Sequence, residues 1–404
     1  MIISSEIFNG NYYTLNIPEL TQSIEIRSIK RPQLSYGADN IDNESIFFPS
    51  NVKIDFFCLF NLLPYLCHKD ITVNIFENDL LIFKGYLDVE DINYSPLKNI
   101  YSLRFIDQSD KLKRLNYDQS VGYTSNNWTK KIDDLLLEAL GVLDYVQLIF
   151  KNEFTIKGEV KNYYPDGTSY FAPISQFCTS RLNFFDSRYG TLWEVIKGIL
   201  DSFCLLGYFF ADKFIVTPRF ADTVNYIISN SEYDLSKTEY EMISKYDAVS
   251  IKWREYFNNG TYLEQGMDFN NSVNDGTEKK KYTYNFAIPE LPNPNYNPDY
   301  ETTGWGDPYD TLFEIYATTP NNGLYYIGHN IIIGNNQPER HMVTCGINLQ
   351  NKLGRFRKKV KTTVFREVSL FDNVCLGEDL TVFKITSIRK EIGSQKYEIT
   401  GIEV

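Results

Sequence analysis

Alternation of apolar and polar residues dominates the first third of the chain. Over 51–57, Val52, Ile54 and Phe56 fall on one side and Lys53 and Asp55 on the other, the two-residue period of a half-buried strand. Ile71, Val73 and Ile75 alternate with Thr72 and Asn74, Asn78-Asp79 supplies a turn, and 80–89 returns as the partner strand of a hairpin. Gly85 inside the returning strand marks a bulge or sharp bend. After the Ser95-Pro96 break, Tyr101, Leu103 and Phe105 alternate with Ser102, Arg104 and Ile106. The pattern predicts a small antiparallel sheet with short turns, able to close as a barrel or sandwich.

The period then lengthens. A helix is predicted over 128–140, capped by Asn127, with Asp133 and Asp134 in its first turn, Gly141 as terminator and an apolar stripe of Ile132, Leu135, Leu136 and Leu140. A second is predicted over 192–206, with Thr191 and Glu194 as a capping box, Gly207 at the C-cap, and Leu192, Ile196, Ile199 and Phe203 on one stripe. Both read as helices packed on a sheet. Residues 208–216 then form a tight hairpin around Ala211-Asp212 that ends at Pro218, and 248–256 alternates as another strand. From 258 to 340 the signal weakens. Pro289, Pro292, Pro294 and Pro298 are interleaved with Asn and Tyr, and Gly304-Trp305-Gly306-Asp307-Pro308 follows. This reads as a loop-rich excursion. Its aromatics Tyr296, Tyr300 and Trp305 form a candidate contact loop for a glycan or a neighbouring subunit, or pack upon one another. Strands return over 357–366, 381–391 and 396–404, with turns at 371–373 and 393–395. No repeat of fixed period is visible.

The 404 residues suggest two or three domains. With 43% hydrophobic and 23% charged residues the balance is that of a folded protein, and 30 Tyr and 28 Phe favour sheets. The net charge of −12 argues against a dedicated nucleic-acid binder. No apolar run reaches the roughly 18 residues of a membrane helix, and the N-terminus shows no secretory signal. Six cysteines form no C-x-x-C pair and most sit among apolar neighbours, which predicts buried, reduced thiols. His68, His329 and His341 have no zinc spacing; His329 and His341 share the loop-rich region, the one place for a weak metal site. There is no G-x-S-x-G elbow, no Walker loop and no carboxylate pair that stands out, so no catalytic residue, cofactor or metal is assigned and a non-enzymatic role is expected. One basic run remains. In 355–361, alternation places Arg355, Arg357, Lys359 and Lys361 on one strand face. That face suits acidic residues of another subunit better than DNA, or is simply solvated. Lys279-Lys280-Lys281 reads as a loop run without a special role.

Several segments, taken in order, resemble the hub proteins of bacteriophage tail baseplates and related contractile injection machines. They are the strand entry Phe48-Pro49-Ser50-Asn51-Val52-Lys53-Ile54, the 73–87 hairpin with its Phe83-Lys84-Gly85-Tyr86 turn, and Tyr101-Ser102-Leu103-Arg104-Phe105-Ile106-Asp107 followed by Lys111-Leu112-Lys113. Thr191-Leu192-Trp193-Glu194-Val195-Ile196 leading into a hairpin, and the ending 383–388 with 397–404, complete the set. The resemblance spans most of the chain outside 258–340. It implies an α+β, mainly β fold: two tail-tube-like antiparallel β-barrels per chain with an intervening α/β segment and a loop-rich insertion. The corresponding domains are a first barrel over 1–115, a mixed α/β connection over 116–245, a split second barrel over 246–257 and 341–404, and an insertion over 258–340. It further implies a homotrimer, located in the virion tail and made in the host cytoplasm, whose six barrels match a six-fold tail tube on one side and a three-fold tail tip, spike or fibre on the other. Such a ring forms part of the DNA-ejection channel, where an acidic wall would let DNA slide without stable sequence-specific binding. A receptor- or glycan-binding tail-tip protein and a tail-associated cell-wall hydrolase are the alternatives.

Overall fold

The computed structural model describes residues 2–8, 10–18, 24, 26–37, 47–66, 71–116, 129–143, 145–151, 155–160, 169–180, 190–203, 205–219, 224–256, 262–270, 281–290, 315–318, 324–331, 339–340, 347 and 349–404. The first nine strands are β1 (Ile2–Phe8), β2 (Asn11–Asn16), β3 (Arg27–Ser28), β4 (Gln33–Gly37), β5 (Phe47–Phe48), β6 (Asn51–Phe57), β7 (Thr72–Glu77), β8 (Leu80–Ser95) and β9 (Ile100–Asp107). Eight of them, all but β5, make one antiparallel array in the order β1-β2-β7-β8-β9-β6-β4, with β3 beside β6. Val52, Ile54 and Phe56, with Tyr101, Leu103 and Phe105 across from them, are buried, as the period predicts. The β7–β8 hairpin turns on Asn78 and Asp79, both at positive φ (51° and 64°), the pair of left-handed residues that a two-residue hairpin needs. Gly85 marks no register shift. It pairs with Val73 and Asp107, and a Cβ there would stand 2.5 Å from the Ile106 carbonyl oxygen, so close strand approach excludes a side chain. The irregularities of β8 fall instead opposite Ile75/Phe76 and between Leu87 and Ile92.

The middle of the chain holds α1 (Ser109–Arg114), β10 (Thr129–Lys131), α2 (Ile132–Leu140), β11 (Gln147–Phe150), β12 (Thr155–Val160), β13 (Ser169–Pro173), β14 (Phe177–Ser180), α3 (Leu192–Ser202), β15 (Leu205–Phe210) and β16 (Lys213–Pro218). Both predicted helices exist but are shorter than their periodicity. Residues 129–131 are drawn into β10, which pairs with β14, so α2 starts at Ile132 from an extended Lys131; Asn127 lies outside the described residues. In α3 the capping box forms as expected, with the Glu194 N–H donating to Thr191 Oγ1 at 3.3 Å and the Thr191 N–H to Glu194 Oε2 at 3.0 Å. It ends at Ser202 because Leu205–Phe210 pairs with β16. Gly207 is therefore no C-cap. It sits inside β15, where a Cβ would come within 2.7 Å of Leu200 and Phe214. The short α1, absent from the periodicity, starts where Asp107 Oδ1 accepts the Ser109 N–H at 2.9 Å. β11 and β5 add in parallel to the two sides of the β15–β16 hairpin, giving a four-stranded sheet that touches α2 and α3.

The last strands are β17 (Tyr226–Ile228), β18 (Glu239–Ile243), β19 (Ala248–Tyr256), β20 (Tyr262–Asn270), β21 (Lys281–Glu290), β22 (Ile315–Thr318), β23 (Leu324–Ile331), β24 (Glu339–Arg340), β25 (Arg357–Val364), β26 (Asn373–Leu376), β27 (Phe383–Glu391) and β28 (Tyr397–Glu403). Among its described residues the expected loop-rich excursion over 258–340 thus carries five strands. β20 and β21 flank β19 in a three-stranded sheet, and β22 to β24 join β10 and β12 to β14 in a seven-stranded one. Pro289, a reason to expect a loop, falls next to the register shift of the β19–β21 ladder, where a missing N–H costs little. In this arrangement β19 pairs with the insertion strands, whereas β28 pairs with β25 and β27 and β18 extends β25. Asn373, expected in a turn, opens β26, which pairs with β17 and β27.

The N- and C-terminal β regions are not separate sheets. β4 pairs with β6 on one side and β27 on the other, Ser35 lying across from Asn51 and from Arg389. The result is one 14-stranded sheet whose main path runs β1-β2-β7-β8-β9-β6-β4-β27-β28-β25-β18. The fold is mainly β with few helices. Among the described residues no backbone ladder closes either β region into a barrel.

Candidate functional site

Among the described residues no cluster of His, Cys, Asp and Glu could hold a metal, and paired buried charges meet at the seam between the two β regions. The strand order sets β7 and β27 far apart, with β8, β9, β6 and β4 between them. Even so, Lys390 of β27 reaches Glu77 of β7, Nζ to Oε2 at 2.6 Å, with both side chains mostly buried. The first β region therefore curls until its β7 side meets the second. Glu77 Oε1 also accepts the Gly393 N–H at 3.1 Å, and Lys390 donates to the Tyr397 hydroxyl at 3.1 Å. Tyr36 of β4 donates to the Ile82 carbonyl of β8 at 3.2 Å, a second tie across the curl. Burial pulls the Lys390 pKa down, but the bonds to Glu77 and Tyr397 outweigh it and the net shift is upward.

Two further groups fix the seam. Gly37 ends β4 at φ +73°, a left-handed conformation, and a Cβ there would collide with the Thr386 carbonyl oxygen and crowd Leu370. Asp107 at the end of β9 is fully buried. Its carboxylate accepts from the Ser50 N–H, from Ser50 Oγ at 2.8 Å and from the Ser109 N–H at 2.9 Å, which pins the start of β6 to the start of α1. Burial raises the Asp107 pKa, against the lowering effect of the Ser109 and Ser50 hydrogen bonds.

The four basic residues predicted on one strand face have unlike places. β25 begins at Arg357, so Arg355 precedes it; Arg355 is exposed, 3.7 Å from Glu403. Arg357 is buried, lining a cavity of about 60 Å³ with Arg219, Lys384 and Ile402. Lys359 lies 3.5 Å from Glu241, and Lys361 is exposed across from Glu239. Within the chain, then, this basic face already meets the carboxylates of β18 and β28. Tyr296, Tyr300 and Trp305 lie outside the described residues, as do His68 and His341. Cys58 and Cys375 are buried free thiols, and burial raises both pKa values. The seam residues escaped the sequence reading because Glu77 and Lys390 are 313 positions apart and neither belongs to a motif.

No family model matches the chain, and no curated protein matches it. Solved structures of phage and prophage tail proteins are similar to it over nearly its whole length. They include the 43 kDa tail protein of prophage MuSo2 from Shewanella oneidensis (TM-score 0.48, 9% identity, 98% of each chain covered). The tail protein from Neisseria meningitidis MC58 has a TM-score of 0.46 at 10% identity, with 98% of this chain and 97% of that one covered. Prophage tail protein gp18 from Listeria monocytogenes EGD-e has a TM-score of 0.45 at 10% identity, with 99% of this chain and 94% of that one covered. No helix among the described residues is long and apolar enough to cross a membrane.

Proposed function

We propose that the chain is a non-enzymatic hub of a phage tail baseplate, a homotrimer in the virion that adapts a six-fold tail tube to a three-fold tip, spike or fibre and forms part of the DNA-ejection channel. The observation that carries this reading is the fusion of two β regions, one from each end of the chain, into one continuous sheet through β4 and β27. Each region acts as one tube-like module, so three chains present six. The first module spans 1–115. Its curl, held by Glu77–Lys390 and Tyr36–Ile82 side-chain ties, serves as the barrel wall. The second is built on 341–404; strand pairing adds β17 and β18 from the end of the 116–245 connection. The inserted strands of 258–340 pair elsewhere, β20 and β21 with β19 of 246–257, and β22 to β24 in one sheet with β10 and β12 to β14 of the 116–245 connection. Closed cyclic assembly gives such a chain a defined size without free growth.

Light scattering or mass photometry of the purified protein tests the proposal. A trimer that binds tail-tube protein is expected. A strict monomer at micromolar concentration with no affinity for tube protein overturns it.

A further inference from the structure

Where the continuous sheet crosses the seam its two faces differ. Leu34, Val52, Ile54, Leu103, Phe105 and Ile388 are buried on one. The other is polar, and the register carries it from strand to strand, because residues directly opposite in a ladder share a face. Arg104 lies across from Lys53, Asn51 from Ser35, and Ser35 from Arg389. Arg389 lies across from Glu398, Glu398 from Thr363, and Lys361 from Glu239. Two shallow grooves of about 380 and 320 Å³, sharing Ser387 and Arg389, run along this face. Charges alternate in sign across its C-terminal half: Arg389 faces Glu398, Lys361 faces Glu239, and Lys359 is 3.5 Å from Glu241.

Resting on the hub reading, we propose that this polar face, from β9 across the seam to β18, is the surface turned toward nucleic-acid duplex in the channel, and that the β18 carboxylates neutralise the β25 lysines so that the duplex passes without being held. A row of lysines on its own would bind phosphates through counterion release. Carboxylates within a few ångströms cancel that field well inside the screening length of about 8 Å at physiological salt. The C-terminal half of the wall is thus charge-balanced rather than acidic.

The test removes the mask. Full-length protein carrying Glu239→Gln and Glu241→Gln is titrated against a fluorescent DNA duplex by anisotropy over a series of salt concentrations. The wild type is expected to show no salt-dependent binding. The double variant should bind roughly 10-fold or more tighter at low salt, with a log K against log salt slope steeper by about two. Glu367→Gln with Glu378→Gln makes the same change in net charge away from this face and should gain nothing. No gain in the first variant, or an equal gain in the second, overturns the masking. Placement is read separately with Glu398→Cys in the assembled oligomer. A small maleimide should label it and a maleimide carried on streptavidin should not. Equal labelling by both in an intact ring overturns the face assignment and leaves the hub reading standing, whereas failure to form any ring overturns the hub reading and this inference with it.

Discussion

The two β regions are both built from alternating strands, in unlike surroundings. In the first, β6 and β9 alternate between buried and partly exposed positions along their whole length. In the second, Phe383 to Ile388 of β27 are buried at every position, Lys384, Thr386 and Ser387 included. Two of these polar residues find protein partners, one in the α/β unit and one in the neighbouring strand. Lys384 donates to the Pro218 carbonyl of the α/β unit at 3.3 Å, and Thr386 to the Thr400 carbonyl at 3.4 Å. A polar residue in an alternating strand thus marks a hydrogen bond that must be made, and for Lys384 and Thr386 protein makes it.

Breaking the tie between the modules should have the largest effect. Lys390→Met leaves Glu77 charged in a mostly buried site and is expected to cost about 3–5 kcal/mol, read by chemical denaturation. Adding Glu77→Gln should recover much of the loss. The pH dependence carries a definite sign. The folded-state pKa of Lys390 is raised, so its contribution is fully present below the ordinary lysine value of about 10.4 and is lost as pH rises through the higher folded value. The gap between wild type and Lys390→Met should therefore narrow in strong alkali.

Gly37→Ala should come next, at about 2 kcal/mol or more, from a non-glycine residue at positive φ that also strikes the neighbouring strand. Hydrogen exchange should quicken along Ser387–Glu391, the partners of β4. Asp107→Asn sharpens the picture of the first module. An amide NH2 would face donors from Ser50 and Ser109, at about 1–3 kcal/mol. Because the Asp107 pKa is raised, the wild type loses stability as pH climbs from the ordinary carboxylate value through the folded one, and the variant lacks that slope. The smallest effect falls outside both modules: Thr191→Ala removes the α3 cap and should lower stability by about 1 kcal/mol.

Legibility in the sequence follows the range of the interactions. The 51–57 strand, the Asn78-Asp79 turn, the Ala211-Asp212 hairpin and the Thr191–Glu194 box were readable because each is decided within a few residues. The helix ends differ from the periodicity where strand pairing claims a terminal turn, the first of one helix at 129–131 and the last of the other at 205–206. β22 and β23 pair with each other but also with β14 and β12, more than a hundred residues earlier, and that part of their pairing leaves no local signal. The basic strand showed its charges but not their neighbours, since Glu239 and Glu241 sit in a separate segment that carries no signal of pairing. The seam itself left no local trace at all.

That seam also dictates a timetable. β4 leaves the ribosome early, yet its second neighbour, β27, is made only about 350 residues later. Throughout that interval the nascent first module displays an unpaired strand edge, the kind of edge that recruits the wrong partner. Correct maturation of this chain is therefore a race between the arrival of its own last strands and capture by another copy, and slower translation lengthens the exposure.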